Sequence, residues 1–379
     1  MKLINMQYYN SNLKEKSPFV DSIGPWLIDN DGNRFFDSWL GSGTLIFGHE
    51  KIRHSNVSKM LPETSISNLD DISLINNLVD FEIGSFGIQT SGSSAITRAC
   101  RIARAVTNRR LIALIGDFWH GSEDEFLFRH NYQLLSDGLA ISPGQNYVWF
   151  KTLESFLAQK NCQEFAAILI EPVQGANPQV NIIKEVINSD IREKIRDNNI
   201  LLIFDEIITG FRNNYGSLNL ARKCDPDIVV FGKAIGGGYP IGVVIVNRKC
   251  TDIANLKNIF WGGTFSANPT QLELMINQLS KLERLDFNLL NHNLERMCQY
   301  ILENIHIESL GYRIMRGFGF ARIVKPNKIF IPSRGFLVKK SESEIKLDEV
   351  SKEKNIYLSK NRLIFPSIFN IDDCIKSKN

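Results

Sequence analysis

Residues 201–207 read Leu-Leu-Ile-Phe-Asp-Glu-Ile, an apolar run that ends on two adjacent carboxylates. With Ile200 in front, the apolar part has the length of one strand and no polar alternation. That is the pattern of a strand buried on both faces of a parallel sheet. Similar runs occur at 111–115, 166–170, 228–231 and 241–246. Helical spacing fills the intervals. Ile96, Cys100, Ala103 and Thr107 share one face after a Ser/Gly turn, and Val186–Arg196 is amphipathic. Strands alternating with helices predict an α/β fold with a mostly parallel central sheet.

The two ends of the chain read differently. Trp26–Trp39, WLIDNDGNRFFDSW, is two alternating runs around Asn30-Asp31-Gly32, a hairpin signal. Beyond residue 275 the pattern predicts a long helix over Gln271–Ile305, short strands within Tyr312–Val324 and a charged helix near Glu342–Lys354. The expected division is a large domain over 41–275. A small α+β domain is built from the N-terminal segment 1–40 together with 276–379.

The 379 residues carry 44 basic and 41 acidic side chains, a net charge of +3. That balance excludes a strongly basic nucleic-acid surface, and the lysines at 339, 340, 346, 352 and 354 are interleaved with acids. The six cysteines form no CxxC pair and have no histidine at zinc-ligand spacing, which suits a reducing compartment and no metal. The N-terminus lacks a signal-type apolar stretch, and no apolar run nears the roughly 20 residues of a membrane span. A cytoplasmic protein without membrane or nucleic-acid partners is expected.

Four stretches can carry chemistry. In Phe231–Pro240, FGKAIGGGYP, Lys233 follows a buried strand and precedes three glycines that allow close backbone approach to a ligand. It is either a turn lysine at the surface or an amine whose pKa is lowered by desolvation, as a Schiff-base lysine requires. Asp205 and Glu206 end an apolar strand, so at least one must find a partner. That partner is a following turn or a protonated ring nitrogen, which an Asp would hold charged. Thr90-Ser-Gly-Ser-Ser-Ala95 opens a helix, as an ordinary cap or as a phosphate cradle. Phe118-Trp-His-Gly121 sets an aromatic ring at a strand end, for the core or for stacking on a flat ligand.

In order and spacing these stretches resemble the class III pyridoxal-phosphate aminotransferases, nearest to glutamate-1-semialdehyde aminomutase and its aminotransferase relatives. The likeness runs from about Gly24 to Pro269, with a weaker echo near Tyr357–Phe369. GPWLIDNDGNRFFD resembles the family's N-terminal hairpin, and SGSSAITRACRIARAVTNR its phosphate turn and helix. EPVQG (171–175), LLIFDEIITGFR (201–212), GKAIGGGYPIG (232–242) and GGTFSANP (262–269) follow in the family's order.

The resemblance implies pyridoxal 5'-phosphate on a fold-type-I transferase. Lys233 would be the Schiff-base lysine and proton shuttle, and Asp205 the partner of the pyridinium nitrogen. Gly92 and Ser93 would hold phosphate, Trp119 and Ile207 would pack on the two ring faces, and Thr264 would reach phosphate across a homodimer. Ala176 and Ile208 stand where ornithine and aminobutyrate aminotransferases carry Glu and Gln, which points to the aminomutase-like branch. Ser94 stands where the family often has Glu, and the stretch 50–91 is shorter than usual.

Arg212 and Arg362 are candidate carboxylate clamps, with surface arginines as the alternative. His120 is a candidate ligand contact, Glu171 a structural residue, and the Gly41–Gly48 loop ending at His49 a candidate entrance. The expected reaction passes an amino group from a donor, glutamate, to an aldehyde or ketone. The alternatives are an intramolecular aminomutase and a non-catalytic protein on the same fold.

Overall fold

The computed structural model describes residues 19–51, 69–128, 132, 134–140, 144–179, 182–253, 258–260, 262–326 and 341–376. The lysines at 339 and 340, and residues 52–68 of the shortened stretch, lie outside the described residues.

Strands β1 (Phe19–Ile23), β2 (Trp26–Asp29) and β3 (Arg34–Asp37) open the chain. Next come β4 (Ile83–Gln89), β5 (Leu111–Ile115), β6 (Tyr147–Phe150), β7 (Phe165–Ile170), β8 (Leu201–Asp205), β9 (Ile228–Phe231) and β10 (Gly242–Asn247). These seven form one sheet in the order β4-β10-β9-β8-β7-β5-β6. Only β10 runs against its neighbours; the other six point the same way. The five apolar runs are β5 and β7 to β10. β4 and β6 are strands the apolar pattern does not mark, because Gly84 and Gly87 interrupt β4 and β6 is a short edge strand. Every residue of β7, β9 and β10 is buried, as expected of strands covered on both faces.

The helix read around Ile96 spans Gly92–Thr107 and buries Ala95, Ile96, Ala99, Cys100, Ile102 and Ala103 against the sheet. Two predicted helices are each broken in two. Val186–Arg196 becomes Ile183–Val186 and Ser189–Asp197, because the Asn188 side chain accepts the N–H of Asp190 and starts a new helix. Gln271–Ile305 becomes Pro269–Glu283 and Phe287–Ile305. There Asp286 accepts the N–H groups of Asn288 at 2.9 Å and Leu289 at 3.1 Å, so an N-cap interrupts an otherwise continuous apolar stripe.

Toward the C-terminus come β11 (Arg313–Arg316), β12 (Ala321–Val324), β13 (Ile356–Tyr357) and β14 (Leu363–Ile364), followed by a helix at Ile371–Lys376. The charged helix spans Glu342–Glu353 and starts with a Ser341/Glu344 capping box. The hairpin read around Gly32 forms, with Trp26 opposite Phe36 and Leu27 opposite Phe35. β13 adds to it in parallel, Ile356 beside Phe36. Trp26 and Phe36 share a core with Leu294, Met297, Ile301 and Ile323, so the two ends of the chain meet. Five of the cysteines are buried and unpaired, and no described helix is long and apolar enough to cross a membrane.

The helix break supplies a test. Asp286→Ala leaves two backbone N–H groups without their acceptor and costs about 1 kcal/mol of stability. Denaturant unfolding reads it as a lowered midpoint with an unchanged slope.

Candidate active site

Six co-directional strands deliver their following loops to one edge of the sheet, where open α/β sheets bind ligands. β4 leads to Ser91–Ser94, β5 to Phe118–Gly121, β7 to Glu171, β8 to Asp205–Ile207 and β9 to Lys233.

The two carboxylates that end β8 have separate partners. Glu206 is fully buried and turns to the chain that follows it. It accepts from Thr209 Oγ1 at 3.1 Å, from the Leu218 N–H at 3.1 Å and from the Ser217 hydroxyl. Burial still lifts its pKa to about 7, against those three bonds. Asp205, also buried, turns to the neighbouring loops. One oxygen accepts the Ile207 N–H at 3.1 Å, and the other accepts His120 Nδ1 at 2.8 Å. A carboxylate has room for further donors.

His120 is held by stacking on Phe118, 4.9 Å between ring centres at 8°, and by the edge of Phe126. Its Nε2 is buried without a partner.

Glu171 belongs to the same cluster, although the sequence marks it only as structural. Its oxygens accept the N–H of Trp119 at 3.0 Å and of Gly175 at 3.1 Å. Adjacent strands β7 and β8 therefore each send a carboxylate to one of two consecutive residues, Trp119 and His120. Burial, and then the charge of Asp205, push the Glu171 pKa up to about 8. A glutamate closing a fully apolar strand is the same signal that marks Asp205, and it would have found Glu171 too.

Lys233 opens a tight turn, Lys233–Gly236, with a left-handed backbone at φ +47°. A non-glycine residue there stores strain, and such strain gathers at functional sites. Its half-buried side chain carries an amine whose pKa is lowered to about 8. Burial is the main cause; Arg212 lowers it further, while Asp205 and Glu171 raise it.

Of the other cofactor candidates, Ile207 and Gly92 lie against Gly232, the residue before the lysine. Gly92 begins the helix, and a Cβ there would sit 2.7 Å from Ile207, so the helix start and Ile207 touch. Ser91 and Ser94 cap each other, and Ser93 Oγ accepts the Ser122 N–H at 3.1 Å. Gly121, at φ +110°, lets that loop close: a Cβ would lie 2.4 Å from Ser93 Oγ. Trp119 and Ile207 are half-buried, and Thr264 is exposed, as are Phe260 and Phe265 near it in sequence.

The two arginines and the loop are engaged with partners within the protein. Arg362 is paired with Asp348 at 2.6 Å, on the Glu342–Glu353 helix. Arg212 is wholly buried and bonded to backbone carbonyls. His49 Nε2 meets the Asp37 carboxylate at 2.9 Å, and the turn Leu40–Gly43 packs on the Lys233–Gly236 turn. Leu40, Gly41, Ser42 and Gly43 all have positive φ. For Leu40 and Ser42 this conformation costs roughly 1–2 kcal/mol each.

The sequence profile of the class III aminotransferases matches residues 9–321, and the chain belongs to that family. Among its relatives is the glutamate-1-semialdehyde 2,1-aminomutase of Thermoplasma volcanium, 30% identical over 305 residues, 75% of this chain and 72% of that protein. The enzyme of the same name from Methanococcus vannielii is 30% identical over 317 residues, 78% of this chain and 74% of that protein. An omega-transaminase from Sphaerobacter thermophilus superposes with a TM-score of 0.77 at 19% identity, covering 98% of this chain and 90% of the other. A glutamate-1-semialdehyde aminomutase from Pseudomonas aeruginosa PAO1 gives 0.74 at 18% identity, covering 92% and 83%. At those identities the two structures speak to the fold, which is that of the pyridoxal-phosphate transferases expected from the sequence.

The lysine amine can be titrated directly. In cofactor-free protein, labelling of Lys233 by an amine-reactive reagent, read by peptide mass spectrometry, is expected to have its midpoint near pH 8. Exposed lysines keep gaining reactivity to about pH 10.4. Glu171→Gln removes a carboxylate that favours the protonated amine, so the Lys233 midpoint moves to lower pH.

Proposed function

We propose that this chain is a pyridoxal-phosphate enzyme that moves an amino group on small carbonyl and amino substrates, with Lys233 as the amine that binds the cofactor. The observation that carries the reading is Lys233 itself: strained, desolvated and in electrostatic contact with Asp205 and Glu171.

The surrounding residues fit that cofactor. Asp205 has spare acceptor capacity and is fixed on both oxygens, as a partner of a protonated ring nitrogen must be. His120 Nδ1 backs its second oxygen at 2.8 Å. The helix that starts at Gly92 offers free N–H groups and a positive dipole end to a phosphate, with the Ser93 hydroxyl beside it. Trp119 and Ile207 supply the two flat faces.

Bound there, the cofactor supplies an electron sink for the carbon that bears the amino group. Lys233 Nζ then carries the proton away from that carbon and back, and a pKa near 8 leaves enough neutral amine at physiological pH to do so. Thr264 and the exposed Phe260 and Phe265 support a homodimer in which Thr264 serves the partner's phosphate. The shared core of Trp26 and Phe36 with the C-terminal elements supports the division into 41–275 and a small domain from both ends.

Two forms of the reaction use the same residues. Transfer from glutamate to a separate aldehyde or ketone is the form expected from the sequence. The relatives from Thermoplasma volcanium and Methanococcus vannielii, together with Ala176 and Ile208, favour intramolecular transfer in a substrate of the glutamate-1-semialdehyde kind, and we place that form first.

Borohydride reduction of the loaded protein is expected to fix the cofactor on the Lys233 peptide, and Lys233→Ala to lose that adduct together with about 10²–10⁴ of the rate. Adding L-glutamate then separates the forms. Loss of the visible band supports a separate donor; an unchanged band with turnover of glutamate-1-semialdehyde supports the mutase. A protein that takes up no cofactor contradicts both.

A further inference from the structure

Arg212 is the one arginine with no exposed surface among the described residues, and none of their carboxylates pairs with it. Its Nε donates to the Ile208 carbonyl at 2.9 Å and its Nη2 to the Gly43 carbonyl at 2.5 Å. The guanidinium lies 5.0 Å over the ring of Phe365, and Nη1 is buried without a partner. Its own carbonyl accepts Asn291 Nδ2 at 3.0 Å, and a Cβ on Gly319 would come within 2.2 Å of the Arg212 Cβ.

This one residue thus joins the segment after β8 to four distant pieces of chain: the turn at 40–43, the helix Phe287–Ile305, the β11–β12 turn and Phe365. The piece it holds at Gly43 is the left-handed turn Leu40–Gly43, which packs on the Lys233 turn. Leu45, just beyond it, lies against Gly238. Gly43 has no room for a side chain, since a Cβ would fall 2.6 Å from Arg212 Nη2 and 2.5 Å from the Phe365 ring.

Four consecutive left-handed residues need an outside anchor, and the Gly43 carbonyl finds it in a cation. Phe365 is anchored to the same region by its N–H on the Ser38 carbonyl at 3.0 Å. A planar fork that reaches two carbonyls while stacking on a ring is a task lysine cannot perform.

We propose that Arg212 is a positioning residue, a latch that holds the strained Leu40–Gly43 turn and Phe365 against the Lys233 turn and so shapes the wall of the site. Its relevance to catalysis rests on the function proposed for Lys233; the latch itself does not. In support, its unpaired positive charge acts on the Lys233 amine, favouring the neutral form.

The test compares Arg212→Met and Arg212→Lys in cofactor-free full-length protein by hydrogen exchange. The reporters are the amides of Gly43, Thr44 and Leu45, which close the turn onto Trp39 and Leu40. Both variants are expected to speed these amides about tenfold or more, while Val244 in the central strand β10 keeps its protection. Labelling of Lys233 shifts to a higher pH midpoint in Arg212→Met and not in Arg212→Lys, which keeps the charge. Unchanged exchange at 43–45 in both variants, or equal acceleration at Val244, overturns the latch. Should Arg212→Met fail to fold, Phe365→Leu replaces it: faster exchange at 43–45 supports the proposal and unchanged exchange overturns it. None of these readouts needs bound cofactor, so they stand apart from the test of Lys233 as its binding amine.

Discussion

The carboxylate of Asp205 ends a strand that has almost no water around it, and the site is organised by its need for partners. Left there without donors, it would destabilise the strand that carries it. His120 Nδ1 and the Ile207 N–H prevent that at 2.8 and 3.1 Å. Each of these bonds fixes something else. The first pins the loop after β5, and with it Trp119. The second sets Ile207 against the start of the Gly92 helix. Glu171, one strand over, grips the same loop one residue earlier. The Lys233 amine then lies in the field of two buried carboxylates, which offset part of its desolvation.

This arrangement follows from strand direction. Six co-directional strands put five loops at one edge, and β10, the exception, sends no site residue there. A chain read in order places Gly92, Trp119, Glu171, Asp205 and Lys233 far apart; the sheet brings them together because each follows the same end of a strand.

Much of this was legible beforehand. The apolar runs at β5 and β7 to β10 announce strands because uninterrupted burial leaves no room for polar alternation. The hairpin around Gly32 follows from two alternating runs and a turn. β4 escaped because glycines dilute its apolar signal, and the helix breaks at Asn188 and Asp286 escaped because a cap is a single polar residue within a continuing stripe. At the site, Lys233 and Asp205 stood out by their place after buried strands. The gripping role of Glu171 and the inward turn of Arg212 did not, since both depend on contacts between segments remote in sequence. Arg212 reaches a carbonyl 169 residues away.

The central claim is that the strand-end cleft seats pyridoxal phosphate between Lys233, Asp205 and the Gly92 helix. A crystal structure of the protein grown with the cofactor tests it most directly. The account predicts density continuous from Lys233 Nζ, a ring between Trp119 and Ile207 with its nitrogen at Asp205, and the phosphate at Gly92 and Ser93. A cofactor bound elsewhere, or a ring nitrogen turned away from Asp205, would contradict it.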